Sequence, residues 1–419
     1  MPARFLLALA TLCVCFDVRY GHAQTPGDNE TPTLALHYSL KSSALLSRAP
    51  DDPALFPDRN SATGLWRFRL EPTVHLSDHA TVELAFEQRL RAFSSSSTFT
   101  GASVLPSTAA APFRIRRLDW QLASSSKTEW RGEIDRATVR TQLSTVDLTV
   151  GRQAIGWGRG VLFSAIDLFA PFTPLEADRE WRRGVDAVRV DVKVAERAAV
   201  DAIAALGDTV DRSTAAARFR GYAGNADVEI VGGRRARDLF GGAASSAAVG
   251  NAEVHGELAV FRTPAAPDSV NFAEQRTVIK AVAGGSYRFG IGNGLLMYAE
   301  YHYSGFGATS AAGILSQLQD PAFQERYLRG DTQILGRHAT ALLASYELSP
   351  EVSLATDWLQ SPVDGSGVVV PSVTMTFTDH WSMVLNGYAP YGREPTGLTL
   401  GSVFGAAPLG VFLQVRTYR

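Results

Sequence analysis

The sequence predicts an all-β fold: a transmembrane antiparallel β-barrel of about 18 strands, with roughly 16 to 20 allowed, and one loop folded inward. In residues 66–91, apolar side chains such as Trp66 and Phe68 alternate with charged ones such as Arg67 and Arg69. The alternation recurs to the C-terminus, behind an N-terminal segment with the features of an export signal. Since successive side chains on a strand point to opposite faces, each strand has one face for lipid and one for water.

Residues 1–23 have the features of a signal peptide. Arg4 supplies a positive start, and the apolar segment from Phe5 to Phe16 is too short to span a bilayer as a helix. Gly21-His22-Ala23 resembles a small-x-small cleavage site. The two cysteines, Cys13 and Cys15, lie in this segment, so the rest of the chain has no disulfide and no thiol. A lipid anchor at either cysteine is the alternative.

The remaining chain is predicted to be one domain. Residues 24–33 are polar and contain Pro and Gly, which is typical of a disordered leader, and residues 34–419 form the barrel. No linker or composition break divides that range. The formal net charge of −2 argues against a nucleic-acid partner.

Alternation predicts twenty candidate strands, and it is least regular in the first, in the ninth and in the pair around residue 240. A bacterial barrel has an even number of strands of roughly 9–11 residues, which favours 18. The candidates are 34–46, 65–77, 79–92, 113–123, 130–142, 146–155, 185–195, 197–207, 214–222, 225–234, 237–248, 250–262, 275–289, 293–304, 336–349, 351–362, 366–378, 381–390, 396–406 and 408–418.

The connections are of two kinds, as expected of short periplasmic turns and long external loops. The long ones are 47–64, 93–112, 156–184, 263–274 and 305–335. The last contains apolar residues at helical spacing, from Ile314 to Leu328, and predicts short helices at the barrel mouth. Aromatic residues near strand ends predict interfacial girdles, although aromatics are also common in strands generally. They are Trp66, Trp120, Trp130, Tyr301, Tyr303, Trp358, Trp381, Tyr388 and Tyr418.

One stretch differs from the rest of the chain. It reads Gly151-Arg152-Gln153-Ala154-Ile155-Gly156-Trp157-Gly158, then Asp167-Leu168-Phe169-Ala170-Pro171, then Arg182-Arg183-Gly184-Val185-Asp186. This resembles a signature of Gram-negative outer-membrane barrels of the porin and alginate-export-like kind. The resemblance implies a barrel in the bacterial outer membrane and names no single substrate.

The connection 156–184 is longer than is needed to join two neighbouring strands, and it is predicted to fold into the lumen. Its charged and aromatic residues are candidates for a constriction, because rings of such side chains set ion and solute selectivity. The alternative is that these charges pair with one another and brace the loop against the wall. The candidates are Arg152, Trp157, Arg159, Asp167, Glu176, Asp178, Arg179, Arg182, Arg183 and Asp186.

These observations predict a porin-like outer-membrane channel for passive passage of small or oligomeric polar solutes. The partners expected are outer-membrane lipid, a polar or oligosaccharide solute, and the barrel-insertion machinery that reads the last strand. No catalytic, nucleotide-binding or metal-binding motif is present, so no enzyme activity, cofactor or metal is expected. The alternatives are an export or assembly component that binds a surface polysaccharide, a barrel esterase or phospholipase recruiting His255, His302 or His338, and a soluble periplasmic β-protein.

Overall fold

A computed structural model describes residues 32–94, 104–105, 111–263, 277–397 and 399–419. The predicted signal peptide, nearly all of the predicted leader, and most of the connections 93–112 and 263–274 lie outside the described residues.

The structure has nineteen strands in the described ranges, all paired antiparallel. They are β1 (Thr33–Arg48), β2 (Asn60–Ser77), β3 (Ala80–Phe93), β4 (Asp119–Ser124), β5 (Thr128–Leu143), β6 (Val146–Gln153), β7 (Val185–Ala195), β8 (Ala198–Ala205), β9 (Thr214–Ala223), β10 (Ala226–Arg235), β11 (Asp238–Val249), β12 (Ala252–Arg262), β13 (Thr277–Phe289), β14 (Leu295–Ser304), β15 (His338–Ser349), β16 (Val352–Gln360), β17 (Gly367–Thr378), β18 (Trp381–Tyr391) and β19 (Leu409–Tyr418).

Eighteen of these strands form a closed ring, which confirms the predicted number. Each pairs with its neighbour in the chain, except that β3 pairs with β5, and β19 closes the ring on β1, with Ser43 opposite Gln414. β4 pairs with the upper part of β5, on the same side as the short β6. It therefore extends the wall where β6 has already ended.

Two of the twenty predicted strands were wrong as ring members. Segment 113–123 supplies only β4. Segment 396–406 contains no strand, because its backbone folds closely around Arg393. A Cβ on Gly401 would lie 2.3 Å from the carbonyl oxygen of Glu394, and a Cβ on Gly405 would lie 1.9 Å from that of Arg393. The segments whose alternation was least regular are all strands of the ring.

The two faces of the wall follow the predicted alternation. On β2, Arg67 and Arg69 are buried inside the barrel, whereas Phe68 between them is exposed on the outside. The outward aromatics Trp120, Trp130 and Tyr301 are likewise exposed. Tyr388, by contrast, is buried on the inner face, and Tyr418 bonds a residue of the interior, so these two do not belong to a girdle.

The ends of the barrel differ. At one end, connections of two to five residues join the strands, for example Asp78–His79 and Asp379–His380. Most connections at the other end are longer, and the one from 305 to 337 carries the predicted helices, α1 (Ile314–Gln319) and α2 (Pro321–Leu328). Among the helices of the described residues, none has the length and apolar character to cross a membrane.

An apolar core lies inside the barrel. It joins side chains of four long connections, among them Phe113, Phe169, Phe306 and Phe404, to inward-facing wall residues such as Phe261 and Phe412. β6 ends at Gln153 and β7 begins at Val185. Residues 154–184, here called the inward loop, contribute the largest share of this core from one connection.

Candidate functional site

The inward loop leaves the wall at a backbone geometry that only glycine accommodates well. Gly151 has φ +118°, and a Cβ there would lie 2.1 Å from the carbonyl oxygen of Ala137 on β5. Arg152 has the same parity as Val150, which is exposed on the outside. Arg152 is buried, with Nε donating to Asp186 Oδ1 at 2.7 Å. The two ends of the loop are therefore tied together.

Glu257 on β12 holds the first half of the inward loop from the opposite wall. A loop inside a barrel has backbone N–H groups that need partners other than water. The Glu257 carboxylate accepts hydrogen bonds from Gly160 N at 2.8 Å, Ala165 N at 2.6 Å, Ile166 N at 3.2 Å, the Ser164 hydroxyl at 2.7 Å, and Arg159 N.

Glu300 on β14 does the same for the adjoining residues. Its carboxylate accepts from the backbone N–H groups of Val161, Leu162 and Phe163 at 2.5, 3.0 and 3.2 Å. His255 Nε2 lies 3.1 Å from the same carboxylate. Two buried wall glutamates thus fix the path of residues 159–166 across the lumen.

Aromatic contacts pack the same half of the loop. The Trp157 ring meets Phe169 edge-on, with centroids 5.0 Å apart, and its Nε1 donates to Asp201 on β8 at 3.3 Å. Phe163 stacks on His302 at 4.9 Å. Trp157 is buried, so it wedges the loop in place and presents no stacking surface to a solute.

The second half of the inward loop is held by ion pairs with β1 and β2. Asp178 Oδ1 lies 2.8 Å from Lys41 Nζ, and Asp178 Oδ2 lies 2.9 Å from Arg67 Nη1. Arg67 also pairs with Glu87 on β3 at 3.0 Å. All four side chains are buried. Removing one partner of such a pair leaves an uncompensated charge and costs about 3–5 kcal/mol.

The charges on β2, β3 and β5 form a wider network behind these contacts. Arg69 Nη1 pairs with Asp135 Oδ2 at 2.9 Å, and Asp135 Oδ1 accepts from Gly184 N of the loop at 2.9 Å. Glu133 lies between Arg89 and Arg114. The arginines of this wall are therefore matched by carboxylates.

The remaining sequence-predicted residues lie at the margins of the loop. Arg182 pairs with Asp167 at 2.5 Å, and Arg159 pairs with Glu229 on β10 at 2.8 Å. Arg179 lies 3.8 Å from Asp357 on β16. Glu176 accepts from the Thr173 backbone at 3.5 Å, and Arg183 is half-buried.

The ten candidates thus lie on the inward loop or at its two roots, and at least nine of them pair with an oppositely charged or polar side chain, since Glu176 also accepts from the Thr173 hydroxyl at 3.5 Å. This arrangement fits the bracing alternative for Arg152, Trp157 and Asp186. Arg159 and Arg179 keep about a third of their side-chain surface exposed, 30% and 33%, and face the aqueous interior.

Sequence reasoning missed the wall residues that hold the loop: Lys41, Asp201, Glu229, Glu257 and, as an anchor, Glu300. The available signal was their inward parity on β1, β8, β10, β12 and β14. Parity identifies an inward carboxylate but does not say that a loop from a distant strand ends against it.

The loop carboxyls differ in their protonation. Burial raises the pKa of Asp167 and of Glu176 above the ordinary carboxyl values. Burial also acts on Asp178, but Arg67 and Lys41 outweigh it, so the pKa of Asp178 is lowered. Of the three carboxyls, Asp178 therefore keeps its negative charge to the lowest pH.

The three histidines considered for a barrel hydrolase have other contacts. His255 lies against Glu253 and Glu300, and His338 Nδ1 lies 2.6 Å from the Tyr301 hydroxyl. Neither ring nitrogen of His302 has a hydrogen-bond partner. In the described part of the chain, none of the three contacts a serine hydroxyl.

Comparison with known proteins identifies the fold. No protein-family model matches the chain, and no curated protein matches it in sequence. Among solved structures, it is similar to Acinetobacter baumannii OccAB1 (TM-score 0.56, 7% identity, 92% of this chain and 96% of that one). It is also similar to Acinetobacter baumannii OccAB3 (TM-score 0.55, 9% identity, 92% of this chain and 99% of that one). A third similar structure is Pseudomonas aeruginosa OccK1, or OpdK (TM-score 0.51, 12% identity, 92% of this chain and 98% of that one).

At these identities the likeness concerns the fold alone. The chain has the closed, 18-stranded antiparallel barrel of bacterial outer-membrane porins.

Proposed function

We propose that this protein is an outer-membrane channel for the passive passage of small polar solutes, with the inward loop setting its selectivity. The observation that carries the proposal is the way a long loop is fastened inside a closed barrel by Glu257, Glu300 and Asp178. A loop held rigidly across the lumen narrows the lumen. It does not by itself form a catalytic site around a substrate. The outward apolar band contacts lipid, and the last strand is the segment that the insertion machinery reads.

The charges near the loop favour polar solutes over strongly charged ones. Arg67, Arg69 and Arg89 are paired with carboxylates, so this part of the wall presents alternating charge rather than a field of one sign. Such a surface offers donors and acceptors to a hydrated solute. No catalytic step is part of the proposal.

A second candidate function is an export or assembly component that binds a surface polysaccharide. The likeness of residues 151–186 to alginate-export-like barrels favours it, as does the apolar core in which four long connections meet at one end of the barrel. A barrel filled at its mouth suits a protein that opens only with its partners.

Liposome swelling distinguishes the two. Vesicles containing the refolded protein are diluted into isotonic solutions of neutral polyols of increasing size. A channel gives swelling rates that fall with solute size, whereas a closed assembly component gives the rate of empty vesicles for every solute, which would overturn the first proposal.

A further inference from the structure

A cavity lies beneath the inward loop at the end of the barrel with the short turns. Its volume is about 290 Å³, and its lining includes His37 and Ser39 of β1, Glu180 and Trp181 of the loop, His380, and Tyr418 of β19. Ligand cavities in proteins are typically ~300–1,000 Å³. The size therefore suits one small ring and not an oligomer.

Trp181 is fixed in this cavity by three cations. Lys41 Nζ lies 3.6 Å from the ring centroid, and the guanidinium carbons of Arg67 and Arg69 lie 4.8 and 5.1 Å from it. All three come from neighbouring inward positions of β1 and β2, where Lys41 is directly opposite Arg67. The ring is thus held against one wall, half-buried, while it also lines the cavity.

The cavity contains polar groups that nothing else in the described chain uses. Ser39 is 3% exposed, and its hydroxyl has no hydrogen-bond partner. No partner is found among the described residues for the side chain of His37 or of His380. Beside them, the Glu180 carboxylate accepts from the Tyr418 hydroxyl at 2.6 Å and keeps about a third of its side chain exposed.

We propose that this cavity binds one neutral sugar ring, with a face of the sugar on Trp181 and its hydroxyls on Ser39, the two imidazoles and Glu180. This rests on the proposed channel function and names its solute class. Aromatic rings and mixed donors and acceptors suit a polyol. Glu71 and Glu180 in the lining disfavour an anion. Arg419 in the lining and the three cations against Trp181 disfavour a cation.

Calorimetric titration of the solubilised protein tests this without requiring conduction. The detergent is zwitterionic, because a sugar headgroup would compete. The probes are glucose, glucuronate and glucosamine, three sugars of the same ring size with different charge. Glucose is expected to bind with the highest affinity of the three.

Matched variants locate the binding. Trp181→Ala is expected to weaken glucose binding by more than roughly tenfold, and Trp181→Phe to restore most of it, since an aromatic face remains. Ser39→Ala is expected to weaken it about fivefold, the effect of one hydrogen bond. Trp130→Ala, on the outer face of β5, is the control and is expected to leave binding unchanged.

Three results would each overturn the inference. They are glucose binding that Trp181→Ala leaves unchanged, tighter binding of glucuronate or glucosamine than of glucose, and no glucose binding. Conduction without glucose binding contradicts this inference alone. Glucose binding in a protein that does not conduct contradicts the channel and leaves the site standing.

Discussion

At the scale of single residues, the central feature is a carboxylate that binds backbone. Glu257 and Glu300 are charged side chains facing the interior, as the alternation on β12 and β14 predicts. Their partners are backbone N–H groups of the inward loop, which are distant in sequence. Gly160 lies 97 residues before Glu257, and Leu162 lies 138 residues before Glu300. Hydrogen bonds to a charged acceptor contribute about 1.5–3 kcal/mol each, so the two side chains dominate the placement of residues 159–166.

Glu257→Gln is predicted to loosen the inward loop. The amide keeps one acceptor oxygen and adds a donor that faces Ala165 N and the Ser164 hydroxyl, so part of the bonding is lost. In planar bilayers the variant is expected to show frequent transitions to a higher conductance level. Glu253→Gln, on the same face of β12 but bonded only to His255, is the control; equal behaviour of the two variants would contradict the role given to Glu257.

Single residues also show where sequence reasoning stops. Alternation correctly predicted the charged inner face of β2. It could not place Arg152, because Arg152 shares its parity with the exposed Val150 but is buried, with its guanidinium donating to Asp186 and to the backbone carbonyl groups of Arg116 and Arg117. The ten candidates predicted from the sequence lie on or beside the inward loop. Their wall partners come from β1, β2, β8, β10, β12 and β16, and these pairings form only when the barrel closes.

At the scale of elements, the inward loop has two halves held by different interactions. Residues 155–170 pack in the apolar core and bond to β12 and β14, whereas residues 178–184 are held by ion pairs and hydrogen bonds to β1, β2 and β5. The first half depends on apolar packing and backbone hydrogen bonds, and the second contains Glu180, which lines the cavity of about 290 Å³.

Replacing residues 161–176 with a short Gly/Ser linker is predicted to raise single-channel conductance. The change removes Phe163 and Phe169 from the lumen and frees Glu300 of its three backbone donors. The ring of strands is untouched, so insertion should be normal. An unchanged conductance in an inserted variant would show that this loop does not limit passage.

Ion selectivity is predicted to shift towards anions as the pH falls from 7 to about 4, near the ordinary carboxyl pKa. The pKa values of Asp167 and Glu176 are raised, so both lose their negative charge at a higher pH than ordinary carboxyls, whereas Asp178 keeps its charge to a lower pH because its pKa is lowered. Reversal potentials in a salt gradient report the shift. The double variant Asp167→Asn/Glu176→Gln should already be shifted at pH 7 and should respond less to acid; a full response in that variant would refute the assignment.

Elements were predictable where they depend on local pattern. All eighteen ring strands were among the predicted segments. Segment 396–406 misled because apolar residues alternate there, yet its glycines allow the chain to fold around Arg393 and bury Phe404 in the interior. Only the closed barrel, which leaves no free edge for another strand, distinguishes such a segment from a wall strand.

At the scale of the whole molecule, the barrel is asymmetric along its axis. The end with long connections is packed by apolar side chains of several loops beside a cavity of about 280 Å³, whereas the end with short turns contains cavities of about 510 and 290 Å³. In the proposed channel, the inward loop narrows the lumen, and the largest of these cavities lies at the end with short turns.

The most direct test of this account is the conductance of the refolded chain, residues 24–419, in a planar bilayer. We predict stable, discrete current steps of small amplitude, because a fixed loop narrows the lumen. We also predict weak ion selectivity, because the charges of the wall are balanced. Insertion into the bilayer without steps would contradict this account and would favour a barrel that opens only within a larger assembly.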